Sequence, residues 1–515
     1  MTKQKAMNCL YHGSPTSPQP HFVLVPFLAQ GHIIPIVDLS HILVDQGAFV
    51  TFVTTPLNAS RIRHYIECAR ELQLPIRFVT LPINCSEVGL PEGSENLDTL
   101  TAGLKQFDAF LEACLQLRDP LISYLKEHGP PPNCVISDLC QPWTGDVART
   151  FGIPRFSFVG FSAFSHLCRH IINSKNIYDK VTDDHQPVPL PGFPHPLEIP
   201  KTQSPLNFSI SAGGVRYMIR EEEPKVQGVI VNTFEEMEPL YVECFEKAIQ
   251  KKVWTLGPMG LYNRNTKKPD TRGDKASIDI ERCMNWLDGM QDQSVIFVSF
   301  GSLARIMPLQ LIEIGLGLEA SKKSFIWVMK SGPHNTEFEQ WLIEERFEER
   351  TKDRGLIIRV WAPQSAILSH NAIGGFMTHC GWNSVIESIS SGVPMITWPH
   401  FAEQFLNEIL VVDILKIGVR IGVTSSVTWG SEKRDEVMVK RDDVERKVLE
   451  LINEEGEGMK KRVKARELGT MAKKAMEEGG SSYQNIKLLI QEIQQQIPLV
   501  EVERANGLES LKVQN

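Results

Sequence analysis

Residues 361–404 read WAPQSAILSHNAIGGFMTHCGWNSVIESISSGVPMITWPHFAEQ, and the order of apolar and polar residues in this stretch decides the fold. Gly374-Gly375-Phe376-Met377-Thr378 is a short apolar run that predicts a buried strand. It ends in His379-Cys380-Gly381-Trp382-Asn383-Ser384, after which Val385, Ile386 and Ile389 fall at helical spacing. The unit is a strand, a glycine-bearing turn and a helix N-terminus, with Asn383 or Ser384 available as its cap. Such a terminus presents backbone N–H groups without helical partners and the positive end of the helix dipole, which suit a diphosphate. Gly381 permits close backbone approach, and His379, Asn383 and Ser384 can donate to phosphate oxygens. Trp361 offers a flat face for a heterocyclic base, and Glu387 can accept from both hydroxyls of a ribose. Glu403 and Gln404 form an acceptor-and-donor pair suited to hexose hydroxyls. A generic buried strand–helix pair would use the Trp and His for packing, but it leaves the polar residues at the turn unexplained.

Working outward, the same alternation recurs at both ends of the chain. Residues 22–27 (FVLVPF) are an apolar run, followed by a loop over 28–34, a helix from about Pro35 and a second strand at 50–54. Residues 295–300 (VIFVSF) lead into Gly301-Ser302, a helix from about Pro308 and a strand at 325–328. The shared layout predicts an α/β protein with two successive doubly wound parallel-sheet domains, 21–261 and 282–480. Residues 262–281, polar and charged with Pro269 and Gly273, read as the linker. Residues 481–497 regain helical spacing after Gly479-Gly480. Residues 1–20 form a polar, proline-containing extension and 498–515 a polar tail.

Composition narrows the function. The net charge of −8 offers no basic stripe for nucleic acid, and the Lys/Arg-rich run 460–466 lies in a helical pattern beside acidic residues, as a solvated face does. Ten cysteines without a C-x-x-C pair fit reduced thiols in the cytoplasm. No apolar leader and no bilayer-spanning run stands out. The stretch 409–423 is broken by Asp413, Lys416 and Arg420, so stable membrane insertion is not expected. Gly315-Leu316-Gly317-Leu318-Glu319-Ala320 spells a dinucleotide fingerprint, but late in a helical pattern rather than after a strand. His166 and His170 are spaced to share a helix face, yet no third metal ligand accompanies them. There is no P-loop lysine and no G-x-S-x-G elbow. The nearest approach to a metal-binding D-x-D is Asp279-Ile280-Glu281, in the linker, so no metal is expected.

The stretch 361–404 resembles the plant secondary product glycosyltransferase signature, the nucleotide-sugar site of family 1 UDP-glycosyltransferases. Trp361, Gln364, His379, Gly381, Trp382, Asn383, Ser384, Glu387, Pro394, Glu403 and Gln404 all stand in register. The resemblance implies the GT-B architecture: two Rossmann-like domains facing a central cleft, the nucleotide sugar held by the second and the acceptor mostly by the first. The last helix then crosses back onto the first domain. UDP-glucose would be held by Trp361, Ala362, Gln364, His379, Trp382, Asn383, Ser384, Glu387, Glu403 and Gln404. Ser302 would stand beside the diphosphate, although capping the next helix is a compatible role.

Pro26, Gly31, His32 and Pro35 match the family's P-x-x-x-x-G-H-x-x-P pattern, which makes His32 the general base. Asp138, ending the apolar run 134–137, matches its partner aspartate. Ser162 would lie near the sugar. Phe161, Phe164, His166 and His170 would line or neighbour the acceptor pocket, and His400, where the pattern is usually apolar, would sit near the sugar end. The implied activity is inverting O-glucosylation of a small lipophilic plant aglycone (triterpenoid, steroid, flavonoid or phenol), giving a β-glucoside. UDP-glucose is then a co-substrate, no cofactor or metal is needed, and a cytoplasmic monomer is expected. Gln404 favours glucose. The segments 158–173 and 429–436 carry the likeness to the terpenoid- and flavonoid-modifying group. A catalytically silent nucleotide-sugar-binding protein is the alternative, and the presence of both His32 and Asp138 argues against it.

Overall fold

A computed structural model describes residues 19–100, 103–205, 214–265, 280–329, 335–359, 361–427, 437–453 and 455–497. The extension, most of the expected linker, the 429–436 insertion and the tail therefore fall wholly or largely outside the described residues.

The first sheet holds β1 (His21–Val25), β2 (Phe49–Thr54), β3 (Ile76–Thr80), β4 (Cys134–Asp138), β5 (Arg155–Val159), β8 (Gly228–Val231) and β9 (Lys252–Thr255). Between them in the chain, β6 (Pro187–Pro189) and β7 (Glu198–Pro200) form a small antiparallel pair. The seven strands are all parallel, in the order β3-β2-β1-β4-β5-β8-β9. Strands such as β1 and β4 are buried at every residue, because helices cover both faces of a doubly wound sheet. The second sheet holds β10 (Val295–Ser299), β11 (Ser324–Met329), β12 (Gly355–Arg359), β13 (Ile373–Thr378), β14 (Met395–Thr397) and β15 (Gly418–Arg420). It is parallel too, in the order β12-β11-β10-β13-β14-β15.

Both sheets reverse their winding once, between β1 and β4 in the first and between β10 and β13 in the second. At such a switch point the connections leave in opposite directions and open a crevice at the carboxyl ends of the strands. His32 follows β1 and Asp138 ends β4. Ser302 follows β10 and His379 follows β13. The strand order thus delivers all four residues to the two crevices.

The helix Ser481–Gln495 leaves the second unit and buries Ile486, Leu489, Ile490 and Ile493 in the same apolar cluster as Phe22, Phe52 and Trp254 of the first. Ser482 Oγ donates to Gly257 O at 2.5 Å and Asn485 Nδ2 to Thr255 Oγ1 at 2.9 Å, fixing its rotation. A second apolar cluster is continuous across the seam, from Phe164 and Tyr241 through Trp382 to Phe297 and Phe376. Among the described residues no helix is long and apolar enough to cross a membrane, and no group of three or more His, Cys, Asp or Glu side chains could hold a metal ion.

Candidate active site

The two crevices face each other across one cleft of about 1350 Å³. On the first unit's wall, the helix Gln30–Asp45 begins immediately after Ala29, with His32 in its first turn. This corrects the expectation of a loop reaching Pro35. The N–H groups of His32 and Ile33 both reach Ala29 O at 2.9 Å, so the first turn is already closed. Pro35 lies inside the helix and lacks the N–H that would have met Gly31 O. Asn383 Nδ2, from the second unit, donates to that carbonyl instead.

His32 Nδ1 lies 2.7 Å from Asp138 Oδ2, and Asp138 Oδ1 accepts from Cys140 N at 2.8 Å. The Asp138 side chain is 2 % exposed, that of His32 29 %, so the carboxylate is enclosed while the imidazole still meets the cleft. With Nδ1 committed to Asp138, Nε2 is the nitrogen left for a ligand. Burial works to lower the His32 pKa, but the charge and hydrogen bond of Asp138, with the charge of Glu403 added, outweigh it and raise the pKa above 6.5.

The opposite wall is the turn after β13. The His379 ring lies between two glycines: a β-carbon on Gly301 would fall 2.6 Å from His379 Cε1, and one on Gly381 2.3 Å from His379 Nε2. Gly301 also has φ +73, a left-handed conformation. Gly381 lines the cleft, and its missing side chain also makes room for the imidazole. The helix Trp382–Ser391 takes Gly381 as its N-cap with no side-chain cap, so Asn383 and Ser384 lie inside the first turn rather than capping it. Gln364 Nε2 bridges Ser384 Oγ at 3.1 Å and Glu387 Oε2 at 3.0 Å, which fixes the two acceptors beside Trp361 and Ala362 on the cleft wall. Ser302 lines the cleft, and Met307 caps the next helix, Pro308–Ala320, so Ser302 has no capping role. Trp382 is buried, and its indole N–H donates to Asn232 O of the first unit at 2.9 Å. Its ring is a joint between the units, a role its place in the signature did not reveal.

Glu403 and Gln404 line the same cleft. Burial pushes the Glu403 carboxyl up to about 7, against backbone donors that include Trp382 N–H and against the charge of His32. Gln404 Oε1 accepts from the N–H groups of His400 at 2.8 Å and Phe401 at 3.1 Å, so its carbonyl end is already engaged. The His400 ring turns away from the cleft onto Phe300, at 5.8 Å between centroids, and burial lowers its pKa to about 4. Its link to the cleft lining is the backbone N–H that holds Gln404.

Several acceptor-side expectations are redrawn. Phe161 lines the cleft with Leu139, Phe107 and Ile172. Phe164 does not; it packs against Phe193 and Tyr241. His166 is buried and stacked on Phe245, with its pKa pushed well below 6.5 by burial, and His170 meets the edge of the same ring. The helix Ala163–Ser174 turns these side chains inward, while Arg169, Ile172 and Asn173 face the cleft. Ser162 caps that helix through Ser165 N at 3.0 Å and is wholly buried, which removes it from the sugar. Two ion pairs that the sequence gave no sign of stand in the acceptor wall, Arg61–Asp98 at 2.8 Å and Arg169–Glu223. Asn232 and Asn407 were also missed. Asn407 is one of three polar residues in the helix QFLNEI, so nothing local singles it out.

A paired, cleft-facing imidazole on one wall and a helix N-terminus flanked by the polar side chains of Ser302, Gln364, Glu387, Glu403 and Gln404 on the other suit group transfer between two bound molecules. The comparisons with known proteins agree. Residues 21–261 match the family described as glycosyltransferase, N-terminal domain, and residues 249–424 match UDP-glucoronosyl and UDP-glucosyl transferase. The chain belongs to the plant family 1 UDP-glycosyltransferases, enzymes of the GT-B fold that transfer a sugar from a UDP-sugar. In particular, it is 47 % identical over 496 residues to UDP-glycosyltransferase 73D1 of Arabidopsis thaliana, covering 93 % of this chain and 98 % of that one. Among solved structures it is similar to Glycyrrhiza uralensis UGT73P12 complexed with glycyrrhetinic acid 3-O-monoglucuronide (TM-score 0.83, 33 % identity, 96 % and 99 % of the two chains). It is also similar to Arabidopsis thaliana UGT89C1 complexed with UDP-L-rhamnose (TM-score 0.72, 30 % identity, 93 % and 100 %).

Proposed function

We propose that this enzyme is an inverting O-glucosyltransferase that moves glucose from UDP-glucose to a hydroxyl of a small lipophilic plant metabolite, a triterpenoid or steroid sapogenin or a flavonoid-type phenol. The observation that carries the reading is the 2.7 Å His32–Asp138 pair facing Glu403 and the His379 turn across one cleft. His32 Nε2 takes the acceptor's hydroxyl proton while Asp138 supports the imidazolium. The acceptor oxygen attacks the anomeric carbon from the face opposite UDP, and the bond from that carbon to the diphosphate oxygen breaks. An α-linked donor then yields a β-glucoside. Charge growing on the departing UDP meets the first turn of the helix Trp382–Ser391, with His379 beside it, so turnover requires no metal.

Trp361 stacks the uracil, and Glu387, held by Gln364, receives the ribose hydroxyls. Glucose is favoured because Glu403 and Gln404 suit neutral hydroxyls and residues 361–404 contain no arginine to pair a uronate. The solved relatives bind chemically different sugars, so the donor follows from these residues rather than from kinship. The largely apolar lining of the cleft, and the triterpenoid glycoside held by the Glycyrrhiza relative, support a lipophilic acceptor. We place the enzyme in the cytoplasm as a monomer.

A donor competition among UDP-glucose, UDP-galactose and UDP-glucuronate, run in EDTA against a mixed aglycone panel and read by mass spectrometry, tests the reading. Monoglucosides should dominate. Preferred glucuronide formation would refute the donor, and turnover that needs added magnesium or manganese would refute the metal-free leaving-group site.

A further inference from the structure

We propose that Asn407 is a positioning residue for the transfer reaction. It holds the Glu403 carboxylate and the turn around Cys380 in their working geometry, and it ties both to the acceptor-side helix Ala163–Ser174. The inference rests on the reading of Glu403 as a sugar contact given above.

Asn407 lies in the helix Gln404–Ile409, three residues beyond Gln404, and is 0 % exposed. Nδ2 donates to Cys380 O at 2.8 Å and reaches Glu403 Oε1 at 3.4 Å, while Oδ1 accepts from Ser165 Oγ at 2.9 Å. Ser165 Oγ in turn accepts from Ser162 Oγ at 2.9 Å. Both ends of the amide are engaged, and its partners come from both units. A fully satisfied buried network of this kind specifies one arrangement of its members.

The partners are those whose geometry matters to the site. Cys380 is a non-glycine residue at φ +65, and it stands between His379 and Gly381 in the turn that faces the diphosphate. Such a conformation persists only when its surroundings hold it, and Asn407 holds its carbonyl. Glu403 lines the cleft, and a donor on Oε1 sets the rotation of its carboxylate. The third partner, Ser165, belongs to the helix that places Arg169, Ile172 and Asn173 on the acceptor wall. One side chain therefore sets the diphosphate turn, the sugar carboxylate and the acceptor helix relative to one another.

The test uses the full chain with Asn407→Ala, Glu403→Gln, the double variant and Ser165→Ala. UDP and UDP-glucose affinities are measured by calorimetry, and kcat and KM are measured for donor and acceptor. Asn407→Ala should weaken UDP-glucose about tenfold more than UDP, within the range for residues sharing one network. In the double variant the loss of preference for UDP-glucose over UDP should match that of Glu403→Gln alone, because that preference runs through the Asn407–Glu403 contact. Ser165→Ala keeps both Asn407 donor bonds, so it should raise the acceptor KM with donor affinity nearly intact. It also remains informative if Asn407→Ala fails to fold. Equal weakening of UDP and UDP-glucose in Asn407→Ala, strict additivity with Glu403→Gln, or an unchanged acceptor KM in Ser165→Ala would each overturn the proposal. If Glu403→Gln itself leaves the preference for UDP-glucose over UDP untouched, the sugar-contact reading fails first and separately.

Discussion

Replacing Asp138 by Asn changes one atom type and should change which imidazole nitrogen carries the proton. In the native site Oδ1 is bound to Cys140 N–H at 2.8 Å, and Oδ2 faces His32 Nδ1 at 2.7 Å. An asparagine that keeps its oxygen on Cys140 N–H must present its amide NH₂ to His32. Nδ1 then becomes the acceptor and the proton moves to Nε2, where the acceptor's proton should arrive. Flipping the amide restores the tautomer but forfeits the part-buried Cys140 hydrogen bond, at about 1–3 kcal/mol, or roughly 5- to 150-fold. Loss of the charge that supports the imidazolium adds to this. A fall of roughly 10²–10⁴ in kcat/KM follows, the range a positioned general base supplies. The pH profile adds a second signature. His32 must be neutral to act, so activity rises with pH through a pKa that Asp138 raises above 6.5. Without that charge the opposing burial dominates, and the ascending limb should move to lower pH. The assay is kcat/KM against pH for wild type and Asp138→Asn on one aliphatic alcohol, with a thermal melt to confirm folding. A folded variant with native rates and an unmoved limb would refute the tautomer argument.

Two further outcomes follow from the packing. Gly301→Ala forces a left-handed alanine against the His379 ring, and strain of ~1–3 kcal/mol should weaken UDP binding roughly 5- to 150-fold. Gly89→Ala carries a similar φ of +76 with nothing within 4 Å of its β-carbon, so it is the control that should leave calorimetric UDP affinity unchanged. His400 is buried in its neutral form with a pKa near 4, so its contribution to stability is complete above about pH 6.5 and is lost as pH falls toward 4. That contribution is at most ~3 kcal/mol. Urea unfolding at pH 7.5 and 5 should show a smaller acid loss for His400→Leu than for wild type, with unchanged donor choice because the ring turns away from the cleft.

The strand–helix alternation was readable because buried parallel strands leave unbroken apolar runs, and the family signature is one continuous segment. His32 was legible from its motif and Asp138 as the end of an apolar run, although only the folded chain brings residues 106 positions apart to 2.7 Å. What stayed illegible is long-range. Pro35 looks like a helix start until Asn383 is seen to satisfy the carbonyl it strands. Gly381 reads as a place for close backbone approach, and only the fold shows that the His379 ring also fills the space of its missing side chain. Trp382 bonds to Asn232 and Asn407 to Ser165, pairs separated by 150 and 242 residues, and no local periodicity encodes such partners. Phe164 was misassigned for a related reason, whereas His166 neighbours the cleft through Phe161 as expected. A helix with one face on the cleft and another on the core offers two inward faces, and only the packed neighbours Phe193 and Tyr241 place Phe164 on the second.

The most direct test of the account is transfer by His32→Ala to one aliphatic alcohol and one acidic phenol, with UDP affinity measured separately. The account predicts a loss of about 10²–10⁴ on the alcohol, a smaller loss on the phenol because it is already partly ionised, and unchanged UDP binding because the nucleotide is held by the other wall. Near-native turnover of the alcohol by His32→Ala would contradict it.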